Sequence, residues 1–151
     1  MTQDSATRTG MPVPPDRPRA LRLLLVEQGD ALWEGLGRRL AERGAEVQRV
    51  GPEAAESMTA RRNPDAVLLD FPAPGQGVLQ LLARLRRAAP DLPVLVLSGH
   101  VGLRSAKRAM EAGAFDFLLK PVGLDELWTK LRDARELRRL SGAEDGDPAP
   151  A

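Results

Sequence analysis

Three residues of complementary chemistry, Asp70, Ser98 and Lys120, each lie at the end of a short aliphatic run. A carboxylate is a competent nucleophile towards a phosphoryl group and gives an acyl phosphate. A hydroxyl can donate a hydrogen bond to a phosphoryl oxygen, and a lysine supplies a compact positive charge. Together these residue types predict phosphoryl transfer to Asp70.

A fourth aliphatic run leads into a polar cluster that contains Glu27, Gln28 and Asp30. Acidic side chains next to a phosphoryl acceptor are typical ligands of Mg²⁺, which neutralises phosphoryl charge and prefers oxygen donors. Asp30 is also a candidate N-cap of the helix that follows. The neutral Gln28 beside Glu27 makes this half of the site incomplete, so we expect weakened Mg²⁺ affinity.

Five short aliphatic runs are the candidate strands that position these residues. Three of them are apolar at nearly every position, which predicts strands covered on both faces. Because parallel strands place their carboxyl ends on one rim of a sheet, the strand-end residues are expected to converge there. The runs are LRLLLV (21–26), AEVQRV (45–50), DAVLLD (65–70), LPVLVL (92–97) and FDFLL (115–119).

Helical periodicity fills the intervals between the runs, so the sequence predicts an α/β fold with five strands, five helices and a doubly wound parallel sheet. Gly44 and Gly113 are placed to end two of the helices, and Pro52 to begin another. The predicted apolar stripes are Leu32, Leu36 and Leu40; Ala54, Ala55 and Met58; Val78, Leu82 and Leu85; Ala106, Ala109 and Met110; and Leu124, Leu127, Trp128, Leu131 and Ala134.

Composition limits the function classes. The formal charge is +1, which gives no electrostatic argument for nucleic-acid binding, and no cysteine is present to form disulfides or thiolate sites. No membrane-spanning run is found, so a cytoplasmic protein without membrane contact is expected. Residues 1–20 and 141–151 are predicted to be disordered tails flanking one domain at 21–140.

The pieces VEQGD, LLDFPAPGQG, VLVLSGH and DFLLKPV occur in an order and placement that resembles the receiver domains of bacterial two-component response regulators. The likeness covers about residues 21–138 and includes the spacing from Asp70 to Pro74. It implies the strand order 2-1-3-4-5. It also implies a signalling module rather than an enzyme, with at most self-catalysed phosphoryl transfer and dephosphorylation at Asp70.

The resemblance also implies a role for each matching residue. Asp70 matches the phosphoacceptor, and Lys120 matches the lysine that pairs with the phosphate. Ser98 and Phe117 match the two switch positions. The remaining matches are Gly99, whose amide approaches a phosphoryl oxygen; Pro121, which follows a cis peptide bond; and the metal site of Glu27, Gln28, Asp70 and the backbone carbonyl of Pro72.

Two departures from the family pattern concern the metal site and its surroundings. Gln28 stands where the family has a second acid, and the loop after Asp70 reads PGQG, shorter than usual and without an acid. Losing a full negative charge beside a divalent cation is a term of roughly 4 kcal/mol at an effective dielectric constant of ~20, before desolvation is subtracted.

Three hypotheses remain from the sequence. The first is a receiver phosphorylated on Asp70 by a histidine kinase or phosphotransfer protein, with a downstream protein partner on the face of the fourth helix, fifth strand and fifth helix. The second is a pseudo-receiver that binds partners without phosphorylation, and the third is a flavodoxin-like nucleotide or flavin binder. A monomer or weak homodimer is expected. His100 is interpreted as a loop residue and Trp33 as a packing residue.

Overall fold

The computed structural model describes residues 19–28, 35–71, 76–99 and 103–141. Five parallel strands form one sheet in the order β2-β1-β3-β4-β5, which confirms the predicted doubly wound α/β fold. The strands are β1 (Arg22–Glu27), β2 (Glu46–Val50), β3 (Ala66–Phe71), β4 (Val94–Ser98) and β5 (Asp116–Leu119). The helices are α1 (Leu36–Glu42), α2 (Ala55–Arg62, preceded by a 3₁₀ turn at Pro52–Ala54), α3 (Gln76–Ala88), α4 (Leu103–Glu111) and α5 (Leu124–Leu140).

Both faces of the sheet are covered, because successive residues of each central strand point to opposite sides. β3 and β4 are buried at every position, and β1 at its four central ones. Leu25 and Leu68 pack with α1 and α5 on one face, whereas Val26 and Leu69 pack with α2, α3 and α4 on the other. This double coverage confirms the interpretation of the three aliphatic runs.

The described residues of the predicted helical stripes are buried or partly buried, with the single exception of Met110. Leu36 and Leu40 of α1, Leu82 of α3 and Leu131 of α5 are fully inaccessible to solvent. Met110 was expected on the apolar face of α4, but it is 45% exposed and Ala109 takes the inward position. Adjacent helical residues are rotated by about 100° around the axis, so a short helix that buries Ala109 turns Met110 outwards.

The beginning of α1 has a backbone feature that its sequence pattern does not show. The described helix begins at Leu36, and Gly35 before it has φ +79° in the left-handed region. A side chain is disfavoured there, whereas glycine accepts it. Asp30, Leu32 and Trp33 lie outside the described residues, so the cap and packing predicted for them stay predictions. Gly44 follows the end of α1 with φ +115°.

The ends of the fold meet at the rim where the strands begin. Arg19, within the predicted N-terminal tail, is ion-paired with Asp65 at 3.1 Å, and the backbone amide of Arg22 donates to the same carboxylate at 2.8 Å. From α5, Arg135 donates to the carbonyl of Arg19 and Arg138 to that of Pro64. Residues 1–18 and 142–151 of the predicted tails lie outside the described residues. In the described part of the chain, no helix is both long enough and apolar enough to cross a membrane.

Candidate functional site

Asp70 lies near the carboxyl end of the central strand β3 with its side chain fully buried. Its position opposite Glu27 of β1 follows from the parallel register, and the backbone amide of Gln28 donates to the Asp70 carbonyl at 3.2 Å. The three sequence-predicted residues Glu27, Gln28 and Asp70 are therefore brought together by backbone pairing alone.

Lys120 reaches Asp70 from the loop after β5, and its ammonium group is ion-paired with Oδ1 of that carboxylate. The lysine side chain is only 7% exposed, so Lys120 is not an ordinary solvated surface lysine. Its backbone amide donates to the carbonyl of Ser98 at 2.7 Å, so the lysine is anchored to the end of β4. The Lys120–Pro121 peptide bond is cis.

Apart from Lys120, neither carboxylate oxygen of Asp70 has a hydrogen-bond partner of good geometry among the described residues. Burial raises the pKa of Asp70 above its usual value, the hydrogen bond and charge of Lys120 lower it, and the charge of Glu27 raises it, with a net upward shift. A buried, under-coordinated carboxylate with one cationic partner is typical of a group prepared to receive a ligand.

Ser98 is the last residue of β4 and is fully buried, and the exposed Gly99 follows it. Phe117 is partly buried on β5, where it packs against the core on the α2–α4 side of the sheet. Ser98 and Phe117 therefore lie in two adjacent, paired strands, and Lys120 directly follows the second of them, β5. His100, Pro72 and Pro74 lie outside the described residues.

The arrangement around Glu27 was not predicted from the sequence. Oε1 of this residue accepts hydrogen bonds from Nε and Nη2 of Arg49 at 3.0 and 2.8 Å. Arg49 belongs to β2, the edge strand, where a polar residue would ordinarily face solvent. In the sequence, this contact is indicated only by the two-residue spacing between Val47 and Arg49, which places both side chains on the same face of the sheet.

The described residues at this rim offer a cation only a few oxygen donors. The described residues contain no group of three or more histidine, aspartate or glutamate side chains that could hold a metal ion. They do provide the under-coordinated oxygens of Asp70, the carboxylate of Glu27 and the amide of the exposed Gln28. This oxygen-only set fits a hard divalent cation such as Mg²⁺, with fewer acids than a strong site has.

Comparison with known proteins agrees with this geometry. The family model described as the response regulator receiver domain matches residues 23–132. The response regulator MprA of Mycobacterium sp. (strain KMS) is 35% identical over 133 residues, which cover 87% of this chain and 56% of that protein. The chain thus spans about half the length of this curated relative.

Solved structures give the same result. A response regulator receiver domain protein from Clostridium thermocellum superposes with a TM-score of 0.70 at 26% identity, covering 80% of this chain and 98% of that one. NtrX from Brucella abortus in complex with ADP gives a TM-score of 0.72 at 26% identity, covering 83% of this chain and 28% of that one. The chain belongs to the response regulator receiver domains.

Proposed function

We propose that this receiver accepts a phosphoryl group on Asp70 from a phosphohistidine of a histidine kinase or phosphotransfer protein. The observation that carries the proposal is the buried Asp70–Lys120 pair at the strand ends, with carboxylate oxygens that have no other described partner. A structural ion pair would normally satisfy those remaining oxygens, because leaving them bare costs free energy.

The transfer would proceed by attack of one Asp70 oxygen on the phosphorus, forming a P–O bond while the P–N bond to the donor histidine breaks. The electron pair of that bond leaves with the imidazole, which takes up a proton. Because the Asp70 side chain is fully buried, its oxygens must become accessible before a donor can approach. Lys120 then stays next to the transferred group and offsets its added negative charge.

Ser98 and Gly99 would bind the phosphoryl oxygens; this is supported by their consecutive positions at the end of β4, to which Lys120 is also hydrogen-bonded. Mg²⁺ would be held by Asp70, Glu27, the Gln28 amide and the Pro72 carbonyl, and would neutralise phosphoryl charge during transfer. Movement of Ser98 towards the phosphoryl group, followed by Phe117, would carry the switch to the surface.

The surface formed by α4, β5 and α5 is proposed to contact the downstream protein partner. Met110 of α4 and Leu119 of β5 support this because they are 45% and 46% exposed, respectively, and large apolar side chains so exposed are typical of contact surfaces. The absence of direct nucleic-acid binding stays a prediction from the balanced charge of the chain.

Acetyl phosphate with Mg²⁺, followed by intact mass spectrometry, tests the proposal. Wild-type protein is expected to gain the mass of one phosphoryl group, which hydroxylamine removes because acyl phosphates are labile to that nucleophile. Asp70→Asn should gain nothing. Asp116→Asn is the matched control, since Asp116 also pairs with a lysine, Lys130 at 3.0 Å, but belongs to the beginning of β5. An adduct that persists in Asp70→Asn would refute the assignment.

A second candidate function is a pseudo-receiver that binds its partner without phosphorylation. The neutral Gln28 and the engagement of Glu27 by Arg49 favour it, because both reduce the negative charge available to a divalent cation. Beryllofluoride with Mg²⁺, monitored by amide NMR spectra, separates the two: shifts that spread to β4, β5 and α4 support the phosphorylated switch, and unchanged spectra support the pseudo-receiver. Family membership disfavours the flavin- or nucleotide-binding hypothesis.

A further inference from the structure

Arg49 forms a contact at the rim of the site that the family pattern does not account for. Two of its donors, Nε and Nη2, converge on the single oxygen Oε1 of Glu27 at 3.0 and 2.8 Å. The glutamate side chain is only 15% exposed, whereas that of Arg49 is 64% exposed. The guanidinium therefore caps Glu27 from the solvent side.

The register between β1 and β2 and the packing of α1 determine where the Arg49 side chain lies. Arg49 pairs with Leu25 in the β1–β2 register, so its side chain leaves the sheet on the α1 side, the same side as Glu27 two residues beyond Leu25. Gly37 of α1 is buried directly beneath it. A Cβ at Gly37 would lie 3.1 Å from Cδ of Arg49, closer than ordinary van der Waals contact. The absence of a side chain at Gly37 therefore leaves room for the aliphatic part of the Arg49 side chain to extend to Glu27.

Among the described residues, the charges at the rim are balanced as a result. Two acids, Glu27 and Asp70, each have one cationic partner, Arg49 and Lys120. A divalent cation is attracted to a site by unpaired carboxylates, and here both carboxylates are already paired within the protein. The ion pair of Glu27 is the more exposed of the two, so it is the one that can open at the lower cost.

We infer that Arg49 is an internal competitor for the divalent cation at Glu27: the site binds the cation only when the Glu27–Arg49 pair opens. The inference rests on the cation site of the proposed function and identifies a residue that sets its affinity. Arg49 acts through Glu27, so it is a positioning residue that need not touch the phosphoryl group.

Isothermal calorimetry with Mg²⁺, without any phosphodonor, tests the inference on the full chain. Arg49→Gln is expected to bind Mg²⁺ about fivefold more tightly than wild type, because a partly exposed ion pair contributes up to about 1 kcal/mol and each 1.4 kcal/mol changes affinity about tenfold. Arg38→Gln is the matched control: Arg38 lies in neighbouring α1, pairs with Glu42 at 3.6 Å, and its substitution removes the same charge.

A double variant separates competition at Glu27 from a general charge effect. In a Glu27→Gln background, Arg49→Gln should give no more gain than Arg38→Gln, because the carboxylate that the arginine releases is absent. Three results would each overturn the inference. The Mg²⁺ affinity of Arg49→Gln could change by less than about twofold, or Arg38→Gln could gain as much affinity as Arg49→Gln. The third result is that Arg49→Gln keeps its full gain in affinity in the Glu27→Gln background. The calorimetry does not involve phosphorylation, so its result is independent of whether Asp70 accepts phosphate. Mass spectrometry tests phosphorylation separately.

Far-ultraviolet circular dichroism verifies that each variant is folded. If Arg49→Gln unfolds, Arg49→Met replaces it, because methionine keeps an aliphatic side chain over Gly37.

Discussion

Replacing Lys120 by methionine should destabilise the protein strongly, because it leaves the Asp70 carboxylate buried without its cation. The two side chains are 7% and 0% exposed, so water cannot take the place of the lysine. At an effective dielectric constant of ~20, opposite charges about 4 Å apart attract by about 4 kcal/mol. Removing one partner of a buried pair typically costs about 3–5 kcal/mol. We therefore expect the free energy of unfolding of Lys120→Met to fall by about 3 kcal/mol near neutral pH.

The loss should depend on pH in a defined direction. The folded-state pKa of Asp70 is raised by burial above its ordinary value of 3.8, and Lys120 opposes that rise. Without Lys120 the pKa must rise further. A carboxyl with a raised folded-state pKa stabilises the fold when it is protonated, and this contribution is lost as the pH rises through the folded-state pKa. The difference in free energy of unfolding between wild type and Lys120→Met should therefore decrease as the pH falls through the raised pKa of Asp70 towards 3.8.

Urea unfolding followed by circular dichroism measures these quantities for wild type, Lys120→Met, Asp70→Asn and the double variant. Asp70→Asn should lower the free energy of unfolding less than Lys120→Met does. It removes the carboxylate itself, whose burial in charged form is unfavourable and raises its pKa. The double variant should be more stable than additive losses predict, by about 2 kcal/mol or more, since no charge is left unpaired. A loss below about 1 kcal/mol in Lys120→Met, or additive single losses, would refute the claim that the pair is a tightly coupled buried unit.

Three further substitutions test other contacts. Gln28→Asp should tighten Mg²⁺ binding about tenfold or more by calorimetry, because it restores a charged oxygen ligand beside Glu27, and unchanged affinity would contradict the placement of Gln28. Asp65→Asn should lower the free energy of unfolding in urea by about 1 kcal/mol, because the ion pair with Arg19 is lost and the bond from the Arg22 amide weakens. Asn63, with φ 48°, ends α2 in the left-handed region; Asn63→Ala should cost about 1 kcal/mol in thermal unfolding, whereas Asn63→Gly should be tolerated.

The sheet and the rim of the site were predictable from sequence because the physics that decides them is local. Aliphatic runs long enough for one strand have few alternatives to burial, and parallel pairing then fixes where their last residues lie. Asp70, Ser98 and Lys120 are therefore expected at one rim without any knowledge of their contacts. The strand bounds differ from the predicted ones by one or two residues, since the hydrogen-bonded ladder extends past the apolar run to Glu27 and Ser98.

The ion pair of Glu27 was not predictable in the same way. It depends on the register between β1 and β2, on the face that Arg49 occupies and on the missing side chain of Gly37, three facts from separate parts of the chain. A sequence pattern reports whether a position is polar, but not which neighbour satisfies it. Met110 shows the same limit, because a helix of nine residues has too few apolar positions to fix its own rotation.

The hydrogen bonds from Arg135 to Arg19 and from Arg138 to Pro64 have a practical consequence for handling the molecule. They bring the first described residues and the last turns of α5 to the rim where the strands begin. The strand from Arg22 to Glu27 rises about 16 Å at about 3.3 Å per residue, so Asp70 lies near the opposite rim. A fluorophore or surface anchor placed next to either end of the described core would leave the rim that holds Asp70 facing away from its support. Immobilised binding assays can use either orientation without blocking the rim.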